Sequence, residues 1–323
     1  MTRLILTSSD SAGGCLLRAG IGDIVIPLGF RFVWDALPSD AKLEAMLGPG
    51  SLDHFSQQRL GAFHPKEVGP LDLSERCETV ELWFDPEPNA QLMLAQLLDC
   101  LGSRENIVSK LTLFQADVDI AGQPPEAISE WKPPGVKIRH EHLQAASMAW
   151  QAYRQPTPQH WADLLENDLS VLPQLRQTVL ELLDELPMPL TGLGATEMRM
   201  LELVAAGNAT PFDIFPGHLK RNTRRVYKYW EIGELLDGLA RCPVPAVAGL
   251  DEGPFTDEMR DDGDRRARYK QSKLSLTALG KAVLARTEDF SRHNPIHRWW
   301  GGTELSNDNL WRWDPMNRTL VAP

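Results

Sequence analysis

Four cysteines in 323 residues, Cys15, Cys77, Cys100 and Cys242, lie far apart and form no C-x-x-C pair. Isolated thiols of this kind fit a reducing compartment, where each serves as a small core residue. No apolar run approaches the roughly 20 residues that cross a bilayer, and no apolar h-region follows a basic start. The expectation is a soluble cytoplasmic protein with no membrane partner. An excess of positive charge is lacking as well. Lys+Arg number 33 against 44 Asp+Glu, a formal net charge of −11, which argues against a protein that coats nucleic acid with its whole surface. Internal repeats and low-complexity tracts are absent. The charge is uneven, however: the stretch 195–286 holds 15 Lys+Arg against 13 Asp+Glu, net +2, leaving −13 elsewhere. Any polyanion contact belongs to that later region.

The length exceeds one ordinary core, so two domains are the default. The first part alternates strand-like and helix-like segments. Arg3–Ser8, Asp23–Leu28, Thr79–Phe84 and Lys110–Gln115 read as strands, and Ala12–Ala19, Ala41–Leu47, Leu52–Leu60 and Asn89–Leu101 as helices. That alternation indicates an α/β domain over 1–122 with a parallel or mixed, Rossmann-like sheet. Pro-rich breaks follow, then three helical stretches, His142–Tyr153, Gln159–Asn167 and Leu172–Leu186, forming a helical bridge over 136–190.

From 191 to 290 the plan changes. Helices are expected over Thr196–Ala206 with Thr196 as its cap, from Thr210-Pro211 through Phe215, and over Tyr229–Ala240. Two strand-like pieces, Pro245–Leu250 and Lys273–Leu276, flank a charged loop, and Thr277 caps Ala278–Ala285. Together these predict a winged-helix-like α+β domain. The tail 291–323 holds four of the ten tryptophans, and Thr303–Leu305 with Leu310–Trp313 suggest a hairpin. So much indole surface predicts that Trp299, Trp311 and Trp313 are largely buried.

With these pieces in order, the chain resembles an uncharacterised bacterial domain-of-unknown-function family over nearly its whole length. The matching residues are Ser9-Asp10-Ser11-Ala12-Gly13-Gly14, Ala149-Trp150-Gln151-Ala152-Tyr153, Leu172-Pro173-Gln174-Leu175, Gly192-Leu193-Gly194-Ala195-Thr196-Glu197 and Pro211–Phe215. The ending Arg298-Trp299-x-Gly301-Gly302 with Trp311-Arg312-Trp313-Asp314 is the most specific match. The resemblance implies architecture and no activity. Relatives carry Gly in place of Ser9 and a Glu-His-Asp cluster after Leu-Trp-Phe; here Leu82-Trp83-Phe84 leads to Asp85-Pro86-Glu87-Pro88-Asn89, and Gln91 is the remaining match.

Ser9, Asp10, Ser11, Gly13 and Gly14 form the leading candidate site. They follow an apolar strand and open a helix, where backbone N–H groups and hydroxyls can meet a phosphate or carboxylate. Asp10 repels a bare anion and would instead hold a sugar hydroxyl, a metal or a proton; the plainer alternative is a helix cap. Asp35, Asp85 and Glu87 read as solvated turn residues, with convergence beside Asp10 as the alternative. Arg139-His140-Glu141-His142 has H-x-H spacing but no third ligand, so it reads as a linker. The remaining histidines make no metal pattern, and no residue pattern names a cofactor.

The basic clusters Lys220–Arg225 and Arg265–Lys270 fall where a winged helix contacts phosphates. Against them stand Glu231, Glu234 and Asp237 on the third helix, so duplex DNA is disfavoured. Arg298, Trp299, Arg312 and Trp313 would form either a cationic, aromatic wall over a ligand or a structural clasp. The sequence therefore leads to a binding protein for an anionic small molecule near Ser9–Gly14, with catalysis left open. The alternatives are a ligand-responsive DNA-binding regulator and an interaction scaffold that meets a protein partner or a second copy of itself.

Overall fold

A computed structural model describes residues 2–52, 56, 68–115, 117–131, 133–215 and 224–323, apart from the side chains of Asp257 and Arg260. The chain divides into two compact units. Met1–Phe32, Ala36–Arg154 and Asp163–Thr178 form the first; Val33–Asp35, Gln155–Ala162 and Val179–Pro323 form the second. The helices expected as a bridge are thus divided between the units. No helix among the described residues is long and apolar enough to cross a membrane.

Unit one is an α/β fold. Its strands are β1 (Arg3–Thr7), β2 (Ile24–Pro27), β3 (Thr79–Phe84), β4 (Leu111–Gln115) and β5 (Val136–Lys137), in the order β2-β1-β3-β4-β5. The first four are parallel and β5 runs antiparallel to β4. Strands buried on both faces need near-continuous apolar sequence, as in Leu4-Ile5-Leu6 and Leu82-Trp83-Phe84.

Helices cover both faces. On one side α1 (Asp10–Arg18) sends Ala12, Cys15 and Leu16 into a core with Ile5, Val25, Trp83 and Ile120. The helices that follow are α2 (Asp40–Leu47), α3 (Pro70–Arg76), α4 (Pro88–Leu101), α5 (Glu105–Val108), α6 (Pro125–Glu130) and α7 (His140–Tyr153). α4 is buried around its circumference, packed on β3 and on α7. Its mostly apolar sequence permits that placement. Most of the expected Leu52–Leu60 helix lies outside the described residues.

Unit two carries most of α8 (Gln159–Asp163) and of α9 (Leu175–Asp184), whose Asp163 and first four residues, respectively, belong to unit one. It continues with α10 (Ala195–Ala205), a helical segment over 211–215, and α11 (Tyr229–Ala240). β6 (Val247–Ala248) pairs antiparallel with β7 (Ser275–Leu276), and α14 (Ala278–Leu284) is capped by Thr277 as expected; two helices precede it in the chain.

Those two helices occupy what the sequence suggests is a charged loop. They are α12 (Asp257–Asp261) and α13 (Gly263–Gln271). A charged stretch shows no apolar period, yet Asp262 accepts from the Asp264 and Arg265 amides and Tyr269 anchors the far end in the core. Thr196 is not the cap of α10. Gly194 is, with Glu197 closing the box, while the Thr196 hydroxyl donates to Glu185.

The tail forms two hairpins rather than one. β8 (His297–Trp300) pairs with β9 (Thr303–Ser306) around Gly301-Gly302, and β10 (Arg312–Asp314) pairs with β11 (Thr319–Val321). Gly301 takes a left-handed φ of 55°, the conformation that tight two-residue hairpins require. The buried indoles are Trp300 and Trp313, whereas Trp299 and Trp311 are half-buried. Alternation along β8 turns neighbouring side chains to opposite faces, so Trp299 and Trp300 cannot both face inward.

Candidate functional site

In a parallel sheet, ligands settle outside the carboxyl ends of the strands where the strand order reverses. Here that position lies between β1 and β3. The end of β1 leads through Ser8 to Ser9, whose extended backbone stops the strand and whose Oγ accepts from the Ala12 N–H at 3.2 Å. The Gly13 amide bonds the Ser9 carbonyl at 2.9 Å. The N–H groups of Asp10 and Ser11 meet no acceptor among the described residues. Ser9 thus takes the capping role, leaving Asp10 and Ser11 exposed at the head of α1. Gly13 is buried against Thr7 and Pro27.

Asp85, at the end of β3, is the group that sequence reasoning undervalued. The residue is only 5% exposed, not a solvated turn acid. Its Oδ2 accepts from the Ser8 hydroxyl at 2.6 Å, and its Oδ1 from the Ile120 N–H at 2.7 Å. Its own carbonyl accepts from Gln91 Nε2 at 2.7 Å, and Gln91 Oε1 accepts from Gln115 Nε2 at 2.8 Å. One chain of hydrogen bonds therefore runs across the carboxyl ends of β1, β3 and β4. Two buried oxygens at those strand ends, Thr7 Oγ1 and Gln115 Oε1, have no partner among the described residues. Ser8 and Gln115 carry no distinguishing signal in the sequence, because a lone polar residue ending an apolar strand looks like ordinary strand termination.

A cavity of about 480 Å³ lies between α1 and β2, lined by Gly14, Leu17, Arg18 and Asp23 and by none of the residues of that hydrogen-bond chain. Of the loop residues predicted to bind ligand, Gly14 reaches it and Ser9, Asp10 and Ser11 do not.

The other predicted residues fall in unit two. Asp35 is exposed with a left-handed φ of 59°. Arg298 pairs with Glu197 at 2.9 Å, and Arg312 pairs with Asp289 at 2.8 Å while donating to the Met188 carbonyl and Ser291 Oγ. Burial opposes the Arg298 charge, but Glu197, Tyr227 and Glu185 together outweigh it and raise the pKa. Trp299 lies opposite Glu304 in the hairpin register. Each arginine's charge is met by a carboxylate of its own unit.

Next to Arg298 sits Glu185, whose oxygens accept from the Thr196 hydroxyl at 2.6 Å and the Thr196 amide at 3.2 Å. Burial pushes its carboxyl up to about 7 against these bonds.

Of the basic clusters, 220–223 lies outside the described residues. Arg224 pairs with Glu181, and Arg265 and Arg268 share Glu252. The acids of α11 do not form one repelling face. Glu231 caps the helix through the Lys228 amide and Asp237 accepts from the Phe255 amide, both buried, while Glu234 is exposed. His142 closes the start of α7, its Nδ1 accepting from the Arg139 N–H at 3.2 Å. Among the described residues no three His, Cys, Asp or Glu side chains are placed to share a metal ion. No protein-family model matches the chain, and no curated protein matches it.

Proposed function

We propose that unit one is a doubly wound, Rossmann-like domain that binds an anionic small molecule at the carboxyl ends of β1 and β3. The observation that carries this reading is the reversal of strand order between those two strands, marked by the Ser8–Asp85 hydrogen bond. The Asp10 and Ser11 amides at the head of α1 supply donors and a positive helix end for a phosphate or carboxylate. The Asp10 carboxylate takes a ligand hydroxyl rather than the charged group. The Thr7 and Gln115 oxygens, without a partner among the described residues, add polar capacity at the same strand ends.

The region 191–290 is read as a winged-helix-like module that contacts protein or serves structure. The arginines best placed to meet phosphates, Arg224, Arg265 and Arg268, have carboxylate partners within the chain. Displacing those carboxylates would offset the gain from a DNA backbone.

Titration calorimetry with inorganic phosphate and nucleoside monophosphates tests the anion site. Asp10→Ala keeps the amide and removes the repelling carboxylate, so phosphate affinity should hold or rise. Asp10→Pro removes the amide at a position where proline is tolerated, because Ser9 before it is extended. There the affinity should fall about tenfold or more with the fold intact. Equal affinity in both variants would refute the proposal.

A further inference from the structure

We propose that unit one carries a second ligand site, for an aliphatic polyamine, in the open cavity bounded by α2, α3, α4 and α7. It is independent of the anion site at the strand ends. The cavity has a volume of about 560 Å³, within the range of roughly 300–1,000 Å³ typical of small-molecule sites.

Its lining holds five carboxylates and two guanidinium groups. Asp40 is paired with Arg154, and Glu75 with Arg104. That leaves three carboxylates without a cation among the described residues. Asp72 accepts from the Gly69 amide at 2.8 Å, Asp99 accepts from Gln151 Nε2 at 3.0 Å, and Glu44 has no ion pair there. Negative charge in a concave wall concentrates cations.

The independent observation is Gln96. It lies in the otherwise apolar middle of α4, is only 4% exposed, and lines this cavity. Its Oε1 is buried with no hydrogen-bond donor among the described residues. A buried acceptor left unmet is costly, and an ammonium group entering the cavity would supply the missing donor. Trp150 forms part of the same wall and already has the Arg154 guanidinium 6.0 Å from its ring centroid, a geometry that accommodates cations. Leu43 and Leu71 lie along the lining beside the carboxylates and suit the methylene spacers of a polyamine. The wall also feels the negative field: burial raises the Cys100 thiol pKa, Arg104 opposes this, and Asp99 and Glu44 add to it. A metal ion is the poorer occupant, since no three acidic, His or Cys groups among the described residues converge on one point.

Calorimetry of the full chain with spermidine, with magnesium chloride as the competing cation, decides the matter. Spermidine should bind one to one. Gln96→Leu should weaken it about tenfold while leaving the melting temperature unchanged or higher, because the variant also removes the unmet acceptor. Glu44→Gln and Asp99→Asn should each weaken binding severalfold. Asp261→Asn, an exposed acid of unit two, should leave it unchanged. Absence of spermidine binding overturns the proposal. So does equal affinity in wild type and Gln96→Leu, or displacement of spermidine by an equal concentration of magnesium.

Discussion

The Ser8 hydroxyl donates to Asp85 Oδ2 across 2.6 Å and so ties together the carboxyl ends of two adjacent parallel strands. The same carboxylate accepts the Ile120 amide, which brings the chain after β4 to the same point. Asp85 is therefore a hub for three segments far apart in sequence. Asp85→Ala leaves a buried hydroxyl and a buried amide unmatched and should cost about 2–4 kcal/mol, whereas Ser8→Ala should cost about 1 kcal/mol. Urea denaturation of the single and double variants checks this. Coupling near zero in the double-mutant cycle would show that the two groups act separately.

Glu185 makes stability depend on pH. Its carboxyl titrates near 7 when folded and at an ordinary 4.5 when unfolded. Between those values the folded state retains a proton that the unfolded state releases. Stability from this group is thus fully present below the unfolded value and is lost as pH rises through the folded one. The loss should be about 3 kcal/mol. Glu185→Gln should flatten the stability profile between mildly acid and mildly alkaline pH, measured by denaturant titrations across that range. An unchanged slope would remove Glu185 as the cause.

The two buried indoles of the tail should matter far more than the half-buried ones. Trp300 Nε1 donates to the Leu182 carbonyl at 2.7 Å, and Trp313 Nε1 to Asp184 Oδ1 at 3.0 Å, so both indoles fasten to α9. Trp313→Ala and Trp300→Ala should each cost about 3–5 kcal/mol. Trp299→Ala should cost about 1 kcal/mol. Guanidinium denaturation gives the comparison, and equal losses at Trp299 and Trp300 would contradict the hairpin register.

Gly280 should reverse the usual rule for glycine in a helix. Replacing an exposed helical glycine by alanine gains about 1 kcal/mol. At Gly280 a Cβ would stand 2.0 Å from the Ala246 carbonyl oxygen, where α14 passes the chain leading into β6. Gly280→Ala should therefore destabilise by about 1–3 kcal/mol. Gly238, with open space around it on α11, is the control, and Gly238→Ala should stabilise. Thermal unfolding of the pair separates propensity from packing.

Local chemistry determined the elements that the residues alone predict. Apolar runs placed β1 to β4, and short-range capping by Ser39, Thr210 and Thr277 placed helix starts. These signals survive folding because a cap is made with amides two or three residues away. Tertiary structure decided what depends on partners distant in sequence. Thr196 bonds Glu185 instead of capping, since a buried carboxylate needs donors and Glu197 already closes the helix start through the Gly194 amide. Arg298 and Arg312 are ion-paired because the fold sets Glu197 and Asp289 opposite them. Asp85 reads as a turn acid beside two prolines, and only the pairing of β1 with β3 brings Ser8 to it. Sequence spacing determines which residues leave a strand end together; strand order, set by the packing of whole layers, decides which strand ends meet.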